Sequence, residues 1–132
     1  MKKFLLLLII PFFIQSQCND GEYEILFETY SGEWAEEITW SIIDNNGELI
    51  ASFDYSDIEN DTWYNQTACL STGCYAFEAN DSYGDGWNEG FVDISSVNSN
   101  VDFGVTDLSI ELENGFISYT VFQINDSECV YS

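Results

Sequence analysis

A short loop covering residues 80–90 concentrates oxygen-bearing side chains and glycine. Its sequence reads Asn-Asp-Ser-Tyr-Gly-Asp-Gly-Trp-Asn-Glu-Gly. The three glycines let the backbone adopt positive φ, so carboxylates, amides and carbonyls can converge on one point. Oxygen ligands of this kind bind hard cations, and we therefore expect a Ca²⁺ site. The candidate ligands within the loop are Asp81, Asp85, the backbone carbonyl of Trp87, Asn88 and Glu89.

The loop matches the EF-hand calcium loop only in part. Asp81, Asp85 and Gly86 match its first, fifth and sixth positions. Tyr83 stands at the third position, where an oxygen ligand is expected, and Val92 at the twelfth, where a bidentate Glu belongs. A helix-loop-helix site is not implied, and calcium would need further ligands from elsewhere. The alternative is a glycine-rich turn in which Asp81 and Asp85 cap backbone N–H groups without a metal.

The charge of the chain is almost entirely negative. Lys2 and Lys3 are the only basic residues, against 24 Asp and Glu, and histidine is absent. Nucleic acid and anionic lipid are therefore excluded as direct partners, because binding them requires basic side chains to neutralise phosphate. Cations and basic surfaces remain as partners. Alternatively, most of the carboxylates serve only solubility in salty water.

The N-terminus has the features of a secretory signal peptide over residues 1–17. Two lysines precede an apolar stretch that ends in polar residues, and this stretch is shorter than the roughly 20 residues that span a bilayer. We therefore expect a secreted protein without an integral membrane segment, whose residues 18–132 form one domain. Lipidation of Cys18 is an alternative that Gln15 and Gln17 disfavour.

Four cysteines in a secreted chain predict two disulfides, with three formal pairings. We favour Cys69 with Cys74, which would close a short turn, and Cys18 with Cys129, which would tie the two ends of the domain together. A zinc site is disfavoured because histidine and Cys-x-x-Cys spacing are both absent.

Alternating apolar and polar residues predict β-strands throughout the domain. Glu22 to Glu28 alternates as a half-buried strand does, and Ile38 to Ile43 with Leu49 to Phe53 flanks the turn sequence Asn-Asn-Gly of a hairpin. Further strands are predicted over residues 62–70, 74–79, 91–94, 101–106, 108–112 and 116–124, with a second hairpin turn at residues 113–115. About eight strands without helical periodicity predict an all-β fold, an antiparallel β-sandwich of jelly-roll-like type.

Two motifs extend this interpretation. A Glu-x-x-Trp strand, Glu37 to Trp40, precedes a Cys-Tyr strand that starts at Cys74 and runs into Asp-Ser-Tyr-Gly-Asp-Gly-Trp from Asp81. Together they resemble a secreted module repeated in surface and extracellular proteins of aquatic bacteria and protists. The resemblance implies an extracellular module for binding, adhesion or assembly, stabilised by disulfides and calcium, with an extracellular protein or glycan as partner. Glu37, the Glu of that strand motif, is then a further candidate calcium ligand across the sheet end.

Catalysis has little support in the sequence. Residues 18–132 contain no His, Lys or Arg, and two disulfides would leave no free cysteine, so the common catalytic triads and phosphate clamps are absent. We expect a protein that is not an enzyme, with a two-carboxylate glycosidase as a remote alternative. The alternative function is a calcium-dependent, lectin-like carbohydrate-binding domain. Trp34 and Trp87 are the candidate surface rings for it, whereas Trp40 is expected in the core.

Overall fold

The computed structural model describes residues 18–129, so the expected signal peptide lies outside the described residues. The described chain forms eight strands and one short 3₁₀ helix at Ala35–Glu37. The strands are β1 (Glu22–Tyr30), β2 (Ile38–Asp44), β3 (Leu49–Ser52), β4 (Trp63–Ser71), β5 (Gly73–Asp81), β6 (Phe91–Ser96), β7 (Leu108–Ile110) and β8 (Ile117–Ile124). All pair antiparallel, in a sheet A of order β4-β1-β6-β7 and a sheet B of order β3-β2-β5-β8. The predicted antiparallel β-sandwich is confirmed.

The core lies between the two sheets and is built from the alternation seen in the sequence. Ile25 and Phe27 of β1 are fully buried from sheet A, and they face Trp40 and Phe77 of sheet B. The Trp40 ring lies 5.0 Å from Phe27 and 5.2 Å from Phe77, centroid to centroid. Its indole N–H donates to Thr29 Oγ1 at 3.0 Å, which satisfies the one polar atom of this buried ring. The expected core position of Trp40 is confirmed.

The connections between strands collect at two opposite ends of the sandwich. Consecutive strands run in opposite directions along the sandwich, so every second connection lies at the same end. We call the end that carries the β1–β2, β3–β4, β5–β6 and β7–β8 connections the loop end. Backbone hydrogen bonds join these four loops: Asp61 N–H to the Gly32 carbonyl (2.7 Å), Glu33 N–H to Asn88 (3.2 Å) and Trp87 N–H to Leu112 (2.7 Å). The residue 80–90 loop is therefore held inside a connected surface.

The two disulfides lie at the other end, which we call the disulfide end. They join Cys18 to Cys69 and Cys74 to Cys129, with sequence separations of 51 and 55. The predicted pairing of Cys69 with Cys74 and Cys18 with Cys129 is therefore wrong. Cys69 belongs to sheet A and bonds Cys18, which precedes β1 of that sheet, whereas Cys74 belongs to sheet B and bonds Cys129, which follows β8 of that sheet. The bond to Cys69 is incompatible with a lipidated Cys18.

Three local expectations also change, two of them because the chain crosses between sheets where a hairpin was expected. Strands β4 and β5 exist but do not pair with each other, and neither do β7 and β8, so residues 113–115 form a crossover. Residues 101–106 form no strand. Gly104 has φ +91° and donates its N–H to Asp102 Oδ1 at 2.9 Å, a turn that ends the extended chain.

No helix within residues 18–129 is long and apolar enough to cross a membrane.

Candidate functional site

Asp81, the last residue of β5, organises the loop that follows it. Its side chain is only 2% exposed. Oδ1 accepts the Tyr83 N–H at 3.1 Å, and Oδ2 accepts the N–H groups of Gly84 and Gly86 at 3.1 and 2.6 Å. The carboxylate thus sits in a nest of backbone donors that compensates its burial. The capping role that the sequence offered as an alternative to metal binding is confirmed for Asp81.

Two further carboxylates converge on Asp81. The pairing of β2 with β5 places Ile38 opposite Asp81, so Glu37, one residue earlier, lies beside the start of the loop. Ser82 N–H donates to the Glu37 carbonyl at 3.2 Å and fixes this approach. Asp85 reaches the same place from the far side of the turn. One carboxylate oxygen from each of Glu37, Asp81 and Asp85 lies within 4.8 Å of the other two. We call these three residues the acidic cluster.

Glu37 is the least compensated member of the acidic cluster. Its Oε1 is buried and accepts no hydrogen bond from the described residues. Burial, followed by the negative charges of Asp81 and Asp85, raises the pKa of the Glu37 carboxyl above its ordinary value. The chain provides no Lys, Arg or His near this group, because residues 18–132 contain none. The charge of the Glu37 carboxylate can therefore be offset only by a proton or by a cation from solution.

The geometry of the acidic cluster fits one calcium ion. Oxygens bound to Ca²⁺ lie at about 2.3–2.6 Å from it, so two of them can be at most roughly 5 Å apart. The observed limit of 4.8 Å among the three oxygens meets this condition. Three carboxylates supply at least three of the six to eight oxygens that Ca²⁺ takes, and backbone carbonyls and water would complete the set. The buried Oε1 of Glu37 is an acceptor that such an ion would satisfy.

Glycine is required where the loop passes closest to its neighbours. Gly86 has φ +97°, and a Cβ there would overlap the backbone of Glu113 and Leu112. This close approach lets Asp85 form a parallel bridge with Gly115, while Gly115 N–H donates to the Gly84 carbonyl at 3.1 Å. The loop is thereby fastened to the β7–β8 connection, which holds Asp85 near Asp81 and Glu37.

The remaining predicted ligands have other contacts. The backbone carbonyl of Trp87 accepts the Gly90 N–H at 3.0 Å. The buried indole N–H of Trp87 donates to the Asn80 carbonyl at 2.8 Å. The Asn88 amide adjoins the acidic cluster and donates to Asp85 Oδ1 at 3.3 Å. Glu89 is not in the cluster; its charge instead acts on Tyr30 at the end of sheet A.

The tryptophans distribute differently from the expectation. Trp87 is 1% exposed and belongs to the core, so its selection as a surface ring is wrong, because its acidic neighbours turn outwards while the ring turns in. Trp34 is 52% exposed, as expected for a surface ring. One surface aromatic group that the sequence did not indicate is Trp63 with Tyr30 and Phe91. These residues become neighbours only through strand register, which the sequence does not reveal.

Comparison of the chain with protein-family models, curated proteins and solved structures finds no match.

Proposed function

We propose that this protein is a secreted, non-enzymatic binding or structural module of the extracellular space, whose loop end is made rigid by calcium. The observation that carries the proposal is the acidic cluster. Three carboxylate oxygens from Glu37, Asp81 and Asp85 lie within 4.8 Å of one another, and residues 18–132 have no basic side chain to compensate them.

Calcium is favoured over other metals by the chemistry of the ligands. All three side chains offer hard oxygen, and the four cysteines are all in disulfides, so soft thiolate ligands are absent from the described residues. Mg²⁺ demands a near-ideal octahedron and dehydrates reluctantly, whereas Ca²⁺ accepts irregular sets from loops. An extracellular module of this kind has a calcium Kd of about 10⁻⁴ to 10⁻³ M.

The location and the non-enzymatic role have separate support. Two disulfides are typical of an oxidising compartment, and the N-terminal sequence has the features of a signal peptide. The described residues contain no His, Lys, Arg or free thiol, so Ser-His-Asp and Cys-His triads and basic phosphate clamps cannot form there, which supports a non-enzymatic role. The motifs that resemble a repeated extracellular module agree with a binding or adhesion role.

A calcium-dependent carbohydrate-binding domain is the second candidate, and one observation favours it. Tyr83 is 71% exposed between Asp81 and Asp85, and Phe116 is exposed where its ring covers Gly84. Aromatic rings beside a calcium ion can stack on a sugar whose hydroxyls join the coordination sphere. In a carbohydrate-binding domain the calcium ion would contact the sugar directly, whereas in the structural module proposed above it would only make the loop rigid.

Calorimetric unfolding of the oxidised protein in excess calcium, in excess magnesium and in chelator tests the calcium site. A rise in Tm that calcium causes and magnesium does not supports a native-state site, since a ligand specific to the folded chain stabilises it. Equal small rises with both ions would contradict the proposal and leave the loop as a structural turn.

Glycan-array binding that chelator abolishes, and that Tyr83→Ala weakens, would favour the carbohydrate-binding candidate.

A further inference from the structure

A second surface feature lies on the outer face of sheet A, where three aromatic rings form one cross-strand row. Register places Tyr30 of β1 opposite both Trp63 of β4 and Phe91 of β6. Its ring centroid lies 5.2 Å from Trp63 and 5.7 Å from Phe91. Trp63 and Phe91 also meet each other, edge to face at 5.4 Å, although β1 lies between their strands. The two outer rings therefore lean together over Tyr30. We call these three residues the aromatic row.

The aromatic row is bordered by carboxylates. The Tyr30 hydroxyl donates to Asp61 Oδ1 at 3.1 Å. This bond, then burial and the charges of Asp61 and Glu89, raise the pKa of the Tyr30 hydroxyl above its ordinary value. Further along the strands, register places Glu28 of β1 opposite Asp93 of β6, two residues from the row and on the same outer face. The rings thus have acidic groups on two sides.

We infer that the aromatic row is a docking surface for a Lys- or Arg-bearing segment of a partner protein. Charge complementarity decides the class of partner, because this face offers carboxylates around the rings and the domain has no basic residue of its own. A cation over the face of an aromatic ring, Trp above all, is attracted by the ring quadrupole. Trp63 is 51% exposed, so one part of its surface is open to such a group.

A purely structural role and a glycan-binding role for the aromatic row make different predictions. Cross-strand aromatic pairs stabilise a sheet without binding anything, in which case only folding should respond to their substitution. A glycan could stack on the same rings and donate hydroxyl hydrogen bonds to the carboxylates, but a neutral sugar has no positive charge to offset theirs. A guanidinium or ammonium group uses both the rings and the border, and for this reason the observations favour a basic segment.

This inference deepens the proposed binding role and rests on it, but it does not involve the acidic cluster. The probe is a blocked octapeptide of alternating Gly and Arg, and its control carries neutral citrulline in place of each Arg. Both are titrated into the oxidised, ¹⁵N-labelled protein at physiological salt, with calcium and again with chelator. The indole N–H signals of the four tryptophans report where the peptide binds. These signals can be interpreted even if the protein binds no calcium, because the aromatic row does not include the acidic cluster.

We expect the Arg peptide to shift the Trp63 indole signal and the citrulline peptide to leave it unchanged. Trp34 is an internal control, because it is 52% exposed beside Glu33 and Glu36 but lies outside the aromatic row. Trp63→Ala should weaken binding about fivefold or more, the effect of a cation–π contact of roughly 1 kcal/mol. Thermal unfolding of this variant verifies that the domain remains folded.

A matched pair of charge substitutions separates specific docking from general attraction to an acidic protein. Glu28→Gln and Glu24→Gln remove the same charge from the same face of β1, but only Glu28 lies beside the aromatic row. Docking at the row predicts a larger loss for Glu28→Gln. Equal losses, or equal shifts of the Trp34 and Trp63 signals, would overturn the inference in favour of diffuse attraction. A Trp63 shift with neutral oligosaccharides but not with the Arg peptide would overturn it in favour of a glycan.

Discussion

Substitution of Glu37 by glutamine should have opposite effects on stability without and with calcium. In chelator, the ionised Glu37 carboxylate has a buried oxygen without a donor and is repelled by Asp81 and Asp85. Glutamine keeps the shape and removes this charge, so Glu37→Gln should unfold at the same or a higher temperature than the native sequence. In calcium, the same substitution removes a charged ligand, and the variant should then be the less stable protein.

The magnitude follows from mass action. With a Kd of about 10⁻⁴ to 10⁻³ M, 10 mM calcium stabilises the native domain by roughly 1.4 to 2.7 kcal/mol. For a domain of this size, that corresponds to a rise in Tm of about 5 to 10 °C. Glu37→Gln should lose most of this rise. The assay is differential scanning calorimetry of both proteins across a calcium titration at fixed ionic strength, so that screening is constant.

Glu36→Gln is the matched control, because Glu36 is the adjacent residue, is exposed and lies outside the acidic cluster. It removes the same charge and should retain the full calcium-dependent rise in Tm. The reasoning is refuted if Glu37→Gln and Glu36→Gln respond to calcium alike. It is equally refuted if Glu37→Gln is strongly destabilised in chelator, since that would show the Glu37 carboxylate to be a stabilising group by itself.

Three further predictions concern pH, connectivity and the core. The pKa of the Glu37 carboxyl is higher in the folded chain than its ordinary value of 4.5, which applies to the unfolded chain. The free energy of unfolding without calcium should therefore rise as pH falls from neutral towards 4.5. Denaturant titrations across this pH range should show a smaller rise for Glu37→Gln than for the native sequence. Chymotryptic digestion of the unfolded, oxidised chain, which cuts after Leu70 between Cys69 and Cys74, should leave Cys18 linked to Cys69 and Cys74 linked to Cys129 in separate species by non-reducing mass spectrometry, whereas a bond from Cys69 to Cys74 would link peptides from the two sides of that cut. Trp87→Ala should lower the free energy of unfolding by about 3–5 kcal/mol in urea, because it empties a buried site, while Trp34→Ala at the surface should change it by about 0.5 kcal/mol or less.

The elements that sequence reasoning predicted well are those specified by local pattern. The hairpin of β2 and β3 follows from two segments rich in apolar residues around Asn-Asn-Gly, and Gly47 has φ +84°. The strand β1 follows from the alternation that places Tyr23, Ile25 and Phe27 on one face, because a period of two is what a half-buried strand requires. These features depend on neighbours within a few residues, and the sequence displays such neighbours directly.

The features that were missed depend on which sheet each strand joins. The turn at Thr72 has the composition of a hairpin, but it carries the chain from sheet A to sheet B, and the cysteines on either side consequently bond different partners. Local composition does not distinguish a hairpin from a crossover of similar length. The aromatic row was missed for the same reason, since Tyr30, Trp63 and Phe91 are brought together only by the register of three strands.

The acidic cluster lies between these two cases. Asp81 and Asp85 are close together in the chain and could be grouped from the loop sequence alone. Glu37 was added through the Glu-x-x-Trp motif, and its approach to Asp81 depends on the pairing of Ile38 with Asp81. Asn88 and Glu89 were added as ligands from the same loop composition. Both adopt positive φ, and the charge of Glu89 acts on Tyr30 of sheet A and not on the acidic cluster. Composition therefore indicated a candidate chemistry for this loop, and the fold brings together only some of the candidate ligands.

The placement of the disulfides gives a physical reason for a cation at the opposite end. Each disulfide closes a loop of more than fifty residues and stabilises the domain by about 4 kcal/mol in the chain-entropy account, but both act at the disulfide end. The loop end has no covalent bond between its four loops and concentrates carboxylates instead. Calcium bound to Glu37, Asp81 and Asp85 would join the β1–β2 loop to the β5–β6 loop, where the disulfides do not act.

Native-state hydrogen exchange should accordingly show calcium protecting the amides of Ser82 and Gly86 far more than those beside Cys69 and Cys74. Equal protection at both ends would mean that calcium stabilises the fold globally and has no local bracing role.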